Sequence, residues 1–173
     1  MNGAVSFAES FAKDLVAADL SGSSVRAVVC PPSPYLRTLI SLFSESVIEV
    51  GAQDLSAHAS GAYTGEISAD MLVDVGANWV IVGHSERRAY HRETDSLVVE
   101  KAAAAMKAGL TPICCVGETL EDREAGETEV VVGKQVSALI DAFSANGQIR
   151  NLVIAYEPVW AIGTGKTASP EEA

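Results

Sequence analysis

Apolar residues along the chain follow two alternating patterns, one with helical spacing and one with continuous runs. Helical spacing is clear after Ser6 and Glu9, which form a capping box, and in the alanine-rich segment 94–108 that Gly109 ends. Continuous runs rich in β-branched residues predict buried strands at 25–30, 47–51, 78–83, 110–117 and 151–156. Further helices are predicted at 33–44, after the Ser68 cap, and on the apolar face from Val132 to Phe143. This alternation predicts a single α/β domain over 1–173 with parallel strands, in an open doubly wound sheet or part of a barrel.

Composition narrows the classes of function. Of the 173 residues, 48% are hydrophobic and 20% are charged, which predicts a folded core. No apolar run approaches the roughly 18 residues of a membrane span, and the start MNGAVSFAES resembles no secretory signal. The net charge of −11 argues against a nucleic-acid partner. The three cysteines have no metal-like spacing, so we expect reduced thiols, a cytoplasmic location, no metal and no membrane partner.

A histidine follows one predicted strand directly. In IVGHSERR the strand ends at Gly83, His84 comes next, and Ser85 is the predicted cap of a short helical turn that contains Glu86. The positive potential at a helix N-terminus favours a neutral imidazole, which can donate a hydrogen bond to a carbonyl oxygen and exchange a proton with it. The alternative is a histidine with only local structural hydrogen bonds.

A carboxylate follows the last predicted strand. Glu157 stands in apolar surroundings in IAYEPVWAIGTGKTA and is a candidate general base. The alternative is a structural ion pair with a neighbouring arginine or lysine. Beyond it, Gly163 and Gly165 can bring their backbone close to an anion, and the stiffer segments on either side are typical of a hinged lid.

Two nucleotide-binding motifs are suggested by the same segment, and both fail. GKT at 165–167 resembles the end of a P-loop, but Trp160 stands where that motif requires glycine. A GxGxxA pattern begins at Gly163, well after the strand that should open into it. Nucleotide binding is therefore not predicted. The last stretch, Ser169 to Glu172, is typical of the first turn of a helix.

The long polar loop 55–67 indicates a function or an interface, because loops of this length are uncommon as simple connections. Tyr63, Thr64 and Glu66 at its far end are candidates for contact with a partner subunit. The alternative is a mobile surface loop.

Three motifs occur together in a recognisable order: VGHSERR at 82–88, CVGE at 115–118 and AYEPVWAIGTGK at 155–166. With GAQD and GAYTGEIS, they closely resemble the triosephosphate isomerase family over essentially the whole chain. The resemblance implies a (β/α)₈ TIM barrel that interconverts dihydroxyacetone phosphate and glyceraldehyde 3-phosphate without a cofactor.

The same resemblance implies roles for individual residues. Glu157 corresponds to the base that moves a proton between two carbons through an enediolate. His84 corresponds to the electrophile that polarises the carbonyl and relays protons between the oxygens, and Glu86 helps to organise the site. The N–H of Gly163 corresponds to a lid donor that binds the substrate phosphate.

The resemblance also implies a homodimer. Thr64 and its neighbours correspond to a loop that inserts into the other subunit. Glu66 corresponds to a residue that pairs with Arg87 across this interface.

The chain departs from the family pattern in its extent. It corresponds to the second to sixth strands of an incomplete barrel, without the first strand's asparagine and lysine and without the last two βα units. We therefore expect these residues alone to show no isomerase activity and to aggregate. Two other functions remain open: a non-catalytic partial-barrel module that binds a partner, and another phosphate-binding barrel enzyme, which would need a different residue in place of Glu157.

Overall fold

The computed structural model describes residues 3–162 and 167–169. Within them, five strands alternate with helices. The strands are β1 (Val28–Val29), β2 (Glu49–Ala52), β3 (Trp79–Val82), β4 (Thr111–Val116) and β5 (Val153–Tyr156). The helices are α1 (Val5–Ala17), α2 (Leu36–Leu42), α3 (Ala69–Val75), α4 (Ser85–His91), α5 (Asp95–Ala108), α6 (Leu120–Glu124) and α7 (Thr128–Phe143). Short 3₁₀ turns lie at 20–22, 33–35, 148–151 and 159–161.

The strands are parallel in every pairing described below, and their order in the sheet is their order in the chain. Parallel strands joined by helices in this order confirm the predicted α/β class and an incomplete (β/α)₈ TIM barrel, because a complete barrel has eight strands. Gly163 and residues 170–172 of the predicted final helix lie outside the described residues.

The chain forms two compact units, one of residues 1–81 with 103–112 and one of residues 82–102 with 113–173. The single-domain organisation of 1–173 stays a prediction. In the first unit, β1 pairs with β2 through Val28 and Glu49, and β2 pairs with β3 through Gly51 and Trp79. The core of this unit is apolar and includes Leu36, Leu39, Val50, Leu72 and Val80.

Two ends of α3 show why its sequence forms a helix at this place. The Ser68 side chain accepts the N–H of Met71, as the sequence predicted, and Gly76 ends the helix in a left-handed conformation with a φ of 100°.

The start of α1 differs from the prediction. The helix begins at Val5, after an extended Ala4 that gives no side-chain cap, so Ser6 already lies within the first turn. Its buried residues are Ala8 and Ala12, whereas Phe7 is 64% exposed. The predicted capping box at Ser6 is therefore wrong, and small residues form the contact face.

In the second unit, β4 pairs with β5 in register from Ile113 opposite Val153 to Val116 opposite Tyr156. Helix α7 covers this unit with Leu139 and Phe143, which are buried as its helical spacing predicted. The ends of β4 and β5, together with the N-terminus of α4, hold the residues of the candidate site.

Candidate active site

Gly83 turns the chain from β3 into α4. Its φ of 71° lies in the left-handed region that favours glycine. A Cβ at this position would approach the Val98 side chain to 2.7 Å. The turn therefore needs glycine both for its backbone angle and for space, and it places His84 directly at the start of α4.

His84, and not Ser85, is the N-cap of α4. Its Nδ1 accepts the backbone N–H of Glu86 at 3.2 Å. An imidazole nitrogen that accepts a hydrogen bond carries no proton, so a neutral ring has its proton on Nε2. The neutral state of His84 stays a prediction, and the predicted cap at Ser85 is wrong.

Glu157 faces this ring. It directly follows β5, and its backbone N–H donates to the carbonyl of Val116 at 2.7 Å. Its Oε1 lies 2.9 Å from His84 Nε2, and its Oε2 accepts the backbone N–H of Ser85 at 3.1 Å. The Glu157 side chain is 15% exposed and that of His84 is 31% exposed, so both can be reached from solvent.

The predicted site residue Glu86 contributes its backbone to this arrangement. Its N–H orients the His84 ring, whereas its side chain is exposed. A catalytic role of the Glu86 carboxylate stays a prediction.

A thiol that sequence reasoning did not assign to the site lies beside the carboxylate. The Cys115 side chain, at the end of β4, is hydrogen-bonded to Glu157. Burial raises the pKa of the Cys115 thiol, and the negative charge of Glu157 raises it further. The thiol is therefore protonated at neutral pH and acts as a neutral neighbour of the carboxylate.

Arg88 connects the two strand ends that carry the site. Its Nε donates to the Gly83 carbonyl at 2.8 Å and its Nη2 to the Cys115 carbonyl at 3.3 Å. Asp95 accepts from its Nη1 at 2.6 Å. This guanidinium links Gly83, the residue before His84, to Cys115 of β4, whose side chain contacts Glu157. The link favours a fixed distance between His84 and Glu157.

A second carboxylate, Glu118, is fully buried two residues after β4. Its oxygens accept hydrogen bonds from the Tyr156 hydroxyl at 3.0 and 3.1 Å and from the Trp160 indole at 3.2 Å. Arg123 lies 3.3 Å from the same carboxylate, with its guanidinium carbon 4.3 Å from the Trp160 ring centre. The cluster holds the 3₁₀ turn 159–161, which follows Glu157 closely in the chain. The sequence motif CVGE contained this residue, but its spacing gave no indication of its partners.

Arg87 and its neighbours form a further charged group. Glu93 Oε1 lies 2.7 Å from Arg87 Nε and 2.6 Å from Lys101 Nζ, and the side chains of Glu93 and Lys101 are 2% and 5% exposed. Burial opposes ionisation of Glu93, but the hydrogen bonds and charges of Lys101 and Arg87 outweigh it and lower its pKa. Arg87 thus has a partner in its own chain. Thr64 and Glu66, the other predicted interface residues, are exposed on their loop.

Residues 3–162 and 167–169 contain neither a metal-binding cluster nor a membrane-spanning helix. No group of three or more histidine, cysteine, aspartate or glutamate side chains in these ranges is placed to hold a metal ion. Among the described residues, no helix is both long enough and apolar enough to cross a lipid bilayer.

The fold and this site together define a class, namely an α/β-barrel protein in which a histidine that follows β3 lies 2.9 Å from a carboxylate that follows β5. Residues 1–173 match the family model described as Triosephosphate isomerase. The chain therefore belongs to the triosephosphate isomerase family, as its motifs predicted.

Named relatives agree. The triosephosphate isomerase of Herminiimonas arsenicoxydans is 54% identical over 158 residues, which are 91% of this chain and 63% of that protein. That of Alkalilimnicola ehrlichii is 53% identical over 174 residues, covering 100% of this chain and 68% of that protein. That of Cupriavidus pinatubonensis is 56% identical over 148 residues, covering 86% and 60%. The aligned part thus spans between 60% and 68% of these relatives' length.

Proposed function

We propose that the protein is an isomerase that interconverts dihydroxyacetone phosphate and D-glyceraldehyde 3-phosphate. One observation carries the proposal: His84 Nε2 lies 2.9 Å from Glu157 Oε1 while Nδ1 accepts the Glu86 N–H. This arrangement favours a neutral proton donor next to a carboxylate base, which are the two groups that an aldose–ketose isomerisation needs. The name of its relatives, triosephosphate isomerase, supports the choice of substrate.

In the proposed reaction, Glu157 removes a proton from the carbon next to the substrate carbonyl. The Nε2–H of His84 donates a hydrogen bond to the carbonyl oxygen and stabilises the charge of the enediolate. Protonated Glu157 then returns the proton to the adjacent carbon, while His84 moves the hydroxyl proton from one oxygen to the other. All protons are accounted for, and the reaction needs no cofactor or metal.

The site as described favours a resting arrangement of the base. Both oxygens of Glu157 accept hydrogen bonds, one from His84 and one from the Ser85 N–H. The carboxylate must give up at least one of these donors before it reaches a substrate carbon, and the His84 donor then becomes available to the substrate carbonyl. Substrate binding and a movement of Glu157 are therefore coupled in this proposal.

Recognition of the phosphate group depends on donors near the site. The chain carries a net charge of −11, so an anionic substrate requires local donors. The backbone N–H of Gly163 is the proposed lid donor, on the strength of the sequence motif. A cytoplasmic location also belongs to the proposal, and the three free thiols are consistent with it.

We further propose a homodimer in which loop 55–67 contacts a second copy of the chain. The loop is closed at its base by the Ser56 N–H, which donates to the Ile67 carbonyl at 2.8 Å. Within it, the His58 and Tyr63 rings stack with centres 4.0 Å apart. This internal packing supports a preformed loop, and the exposed Glu66 is free of the core and suited to pairing with Arg87 of the other subunit.

A charge reversal tests the dimer. Glu66→Lys places a cation opposite the proposed Arg87 partner and is expected to shift sedimentation from dimer to monomer. Glu45→Lys, on the exposed end of the α2 region, makes the same change in charge and is the control. Equal dimerisation of both variants would contradict the proposed pairing.

Glu157→Gln tests the catalytic proposal in the full-length gene product. It retains the shape of the side chain and removes the base, so kcat for triose phosphate isomerisation is expected to fall about 10²- to 10⁴-fold. Glu129→Gln, on the exposed surface of α7, is the matched control and should leave kcat unchanged. Wild-type turnover in Glu157→Gln would contradict the proposal.

The same assay separates the two other functions. Stoichiometric binding of a partner without turnover would indicate a non-catalytic module. Turnover of a different sugar phosphate in preference to the trioses would indicate another phosphate-binding barrel enzyme.

A further inference from the structure

Gly117 has an unusual pair of partners. It follows β4 directly, where the ladder of strand hydrogen bonds ends. Its N–H donates to Gln135 Oε1 at 2.8 Å, and its carbonyl accepts from Gln135 Nε2 at 3.1 Å. One side-chain amide from α7, 18 residues further along the chain, thus satisfies both backbone groups of one glycine.

Gly117 also lies directly against the backbone of Glu157. A Cβ added at Gly117 would overlap the carbonyl oxygen of Glu157 and would lie 3.2 Å from a methyl group of Val159. One residue earlier, Val116 accepts the Glu157 N–H at 2.7 Å. Val116 therefore contacts the N–H of Glu157, and Gly117 packs against its carbonyl group.

These contacts connect the Gln135 side chain, through the Gly117 peptide, to the backbone of Glu157. A glycine has no side chain to fix its peptide planes, so its orientation depends on its hydrogen bonds. Here a bidentate amide sets that orientation, and the amide is itself carried by a helix whose Leu139 and Phe143 are buried. A shift of the Gly117 peptide would displace the closely packed Glu157 backbone and, with it, the carboxylate.

We propose that Gln135 is a positioning residue for the Glu157 carboxylate, acting through the Gly117 peptide. The inference rests on the proposed role of Glu157 as the base. Gln135 needs no contact with the substrate for this role, because it fixes the distance from the carboxylate to His84. If Gln135 served only to satisfy buried backbone groups, its loss would lower stability and leave the reaction step intact.

Two variants of graded severity test the proposal in the full-length gene product. Gln135→Met keeps the length of the side chain and removes both hydrogen bonds, whereas Gln135→Glu keeps one acceptor and opposes the Gly117 carbonyl with a second oxygen. We expect kcat to fall about 10- to 100-fold in Gln135→Met, as for a misplaced catalytic group, with KM within about twofold. Gln135→Glu is expected to lose less. Gln148→Met, in the exposed 3₁₀ turn 148–151, is the control for the same substitution.

A spectroscopic measurement provides a readout that does not depend on turnover. The Nε2 proton of His84, hydrogen-bonded to Glu157, is expected to give a downfield NMR resonance in the wild type and in Gln148→Met. In Gln135→Met this resonance should be lost or shifted upfield at temperatures where circular dichroism shows a folded protein. If Gln135→Met does not fold, the same comparison is made with Gln135→Glu.

The outcomes separate the two proposals. Wild-type kcat and an unchanged His84 resonance in folded Gln135 variants, with activity still abolished by Glu157→Gln, would overturn the positioning role alone. Full activity in Glu157→Gln would instead overturn the proposed function on which it rests. A fall in kcat together with the lost resonance supports the positioning role.

Discussion

Two carboxylates at the ends of neighbouring strands have opposite surroundings. Glu118, after β4, is fully buried and accepts hydrogen bonds from Tyr156 and Trp160. Glu157, after β5, is 15% exposed, and its partners are an imidazole nitrogen, a backbone N–H and the Cys115 thiol. The donors to Glu118 are side chains that are buried or half-buried, whereas in the proposed reaction a substrate oxygen competes for the Nε2–H of His84. The difference separates a carboxylate that anchors structure from one that can take part in chemistry.

The largest expected effect is on stability and lies in the anchor, the cluster of Glu118 with Tyr156, Trp160 and Arg123. Glu118→Ala removes the acceptor shared by Tyr156, Trp160 and Arg123, and breaking such a buried cluster is expected to lower the free energy of unfolding by about 3–5 kcal/mol. Glu157→Gln should change it by less than about 1 kcal/mol if Glu157 is the proposed base, because groups that serve a reaction are selected for function more than for stability. Urea unfolding measures both changes in free energy, provided that the variants and the wild type have equal m-values.

A similar loss of stability in the two variants would contradict this division of roles. The control is Glu129→Gln on the exposed face of α7, which should leave the unfolding midpoint unchanged.

Tyr156→Phe weakens the anchor by one group. The phenol donates to a carboxylate, and hydrogen bonds to charged groups contribute about 1.5–3 kcal/mol, so this loss in the free energy of unfolding is expected at neutral pH. Burial raises the pKa of Tyr156, and the hydrogen bond to Glu118 raises it further. Because the pKa of Tyr156 is higher in the folded state, its protonated phenol stabilises the fold below pH 10.0, the pKa in the unfolded chain. This stabilisation is lost as the pH rises through the pKa in the folded state.

The difference between wild type and Tyr156→Phe should therefore shrink above pH 10.0, as measured by urea unfolding at several pH values. A difference that stays constant from neutral to strongly alkaline pH would contradict the assignment of the hydroxyl as donor to Glu118.

The two regions also differ in how much the sequence could reveal. Glu157 and His84 were predictable, because each directly follows an apolar strand and parallel sheets gather their chemistry at such ends. The cap of α4 was not. Local preference favours serine, but the Ser85 N–H is bound by Glu157, 72 residues away, and His84 takes the capping position. Long-range contacts of this kind leave no local pattern.

Helices show the same limit. Strict spacing predicted α7 and its buried Leu139 and Phe143. In α1 the large apolar residues Phe7 and Phe11 recur at helical spacing but are exposed, and Ala8 and Ala12 are buried instead. Helices that pack closely need small residues at the contact, and hydrophobicity alone does not reveal which face that is. Helix α6 did have a local signal, since Thr119 and Asp122 form a capping box.

Gly117→Ala affects the surroundings of both carboxylates, since Gly117 precedes Glu118 in the chain and packs against the Glu157 backbone. The added methyl group overlaps the Glu157 carbonyl, so we expect a loss of about 1–3 kcal/mol in the free energy of unfolding. We also expect a lower kcat for the proposed isomerisation. Gly133→Ala is the matched control, because a Cβ there meets no atom within 4 Å and alanine favours a helix by about 0.5–1 kcal/mol. Equal effects of both substitutions would contradict the close approach at Gly117.

The smallest expected effect lies at the edge of the anchor, in the capping box of α6. Thr119 Oγ1 accepts the Asp122 N–H at 3.2 Å, and Asp122 accepts the Thr119 N–H at 3.0 Å. Thr119→Ala is expected to lower the free energy of unfolding by about 1 kcal/mol and to leave kcat unchanged, because α6 carries Arg123 of the anchor and no group of the base. Hydrogen bonds from the Thr119 side chain and backbone lower the pKa of Asp122 below its ordinary 3.8. Stability from a lowered pKa is present above the unfolded value and lost below it, so the wild-type advantage should disappear as pH falls below 3.8. A fall in kcat in Thr119→Ala would show that the anchor and the base are not separate, and would break the comparison between Glu118 and Glu157.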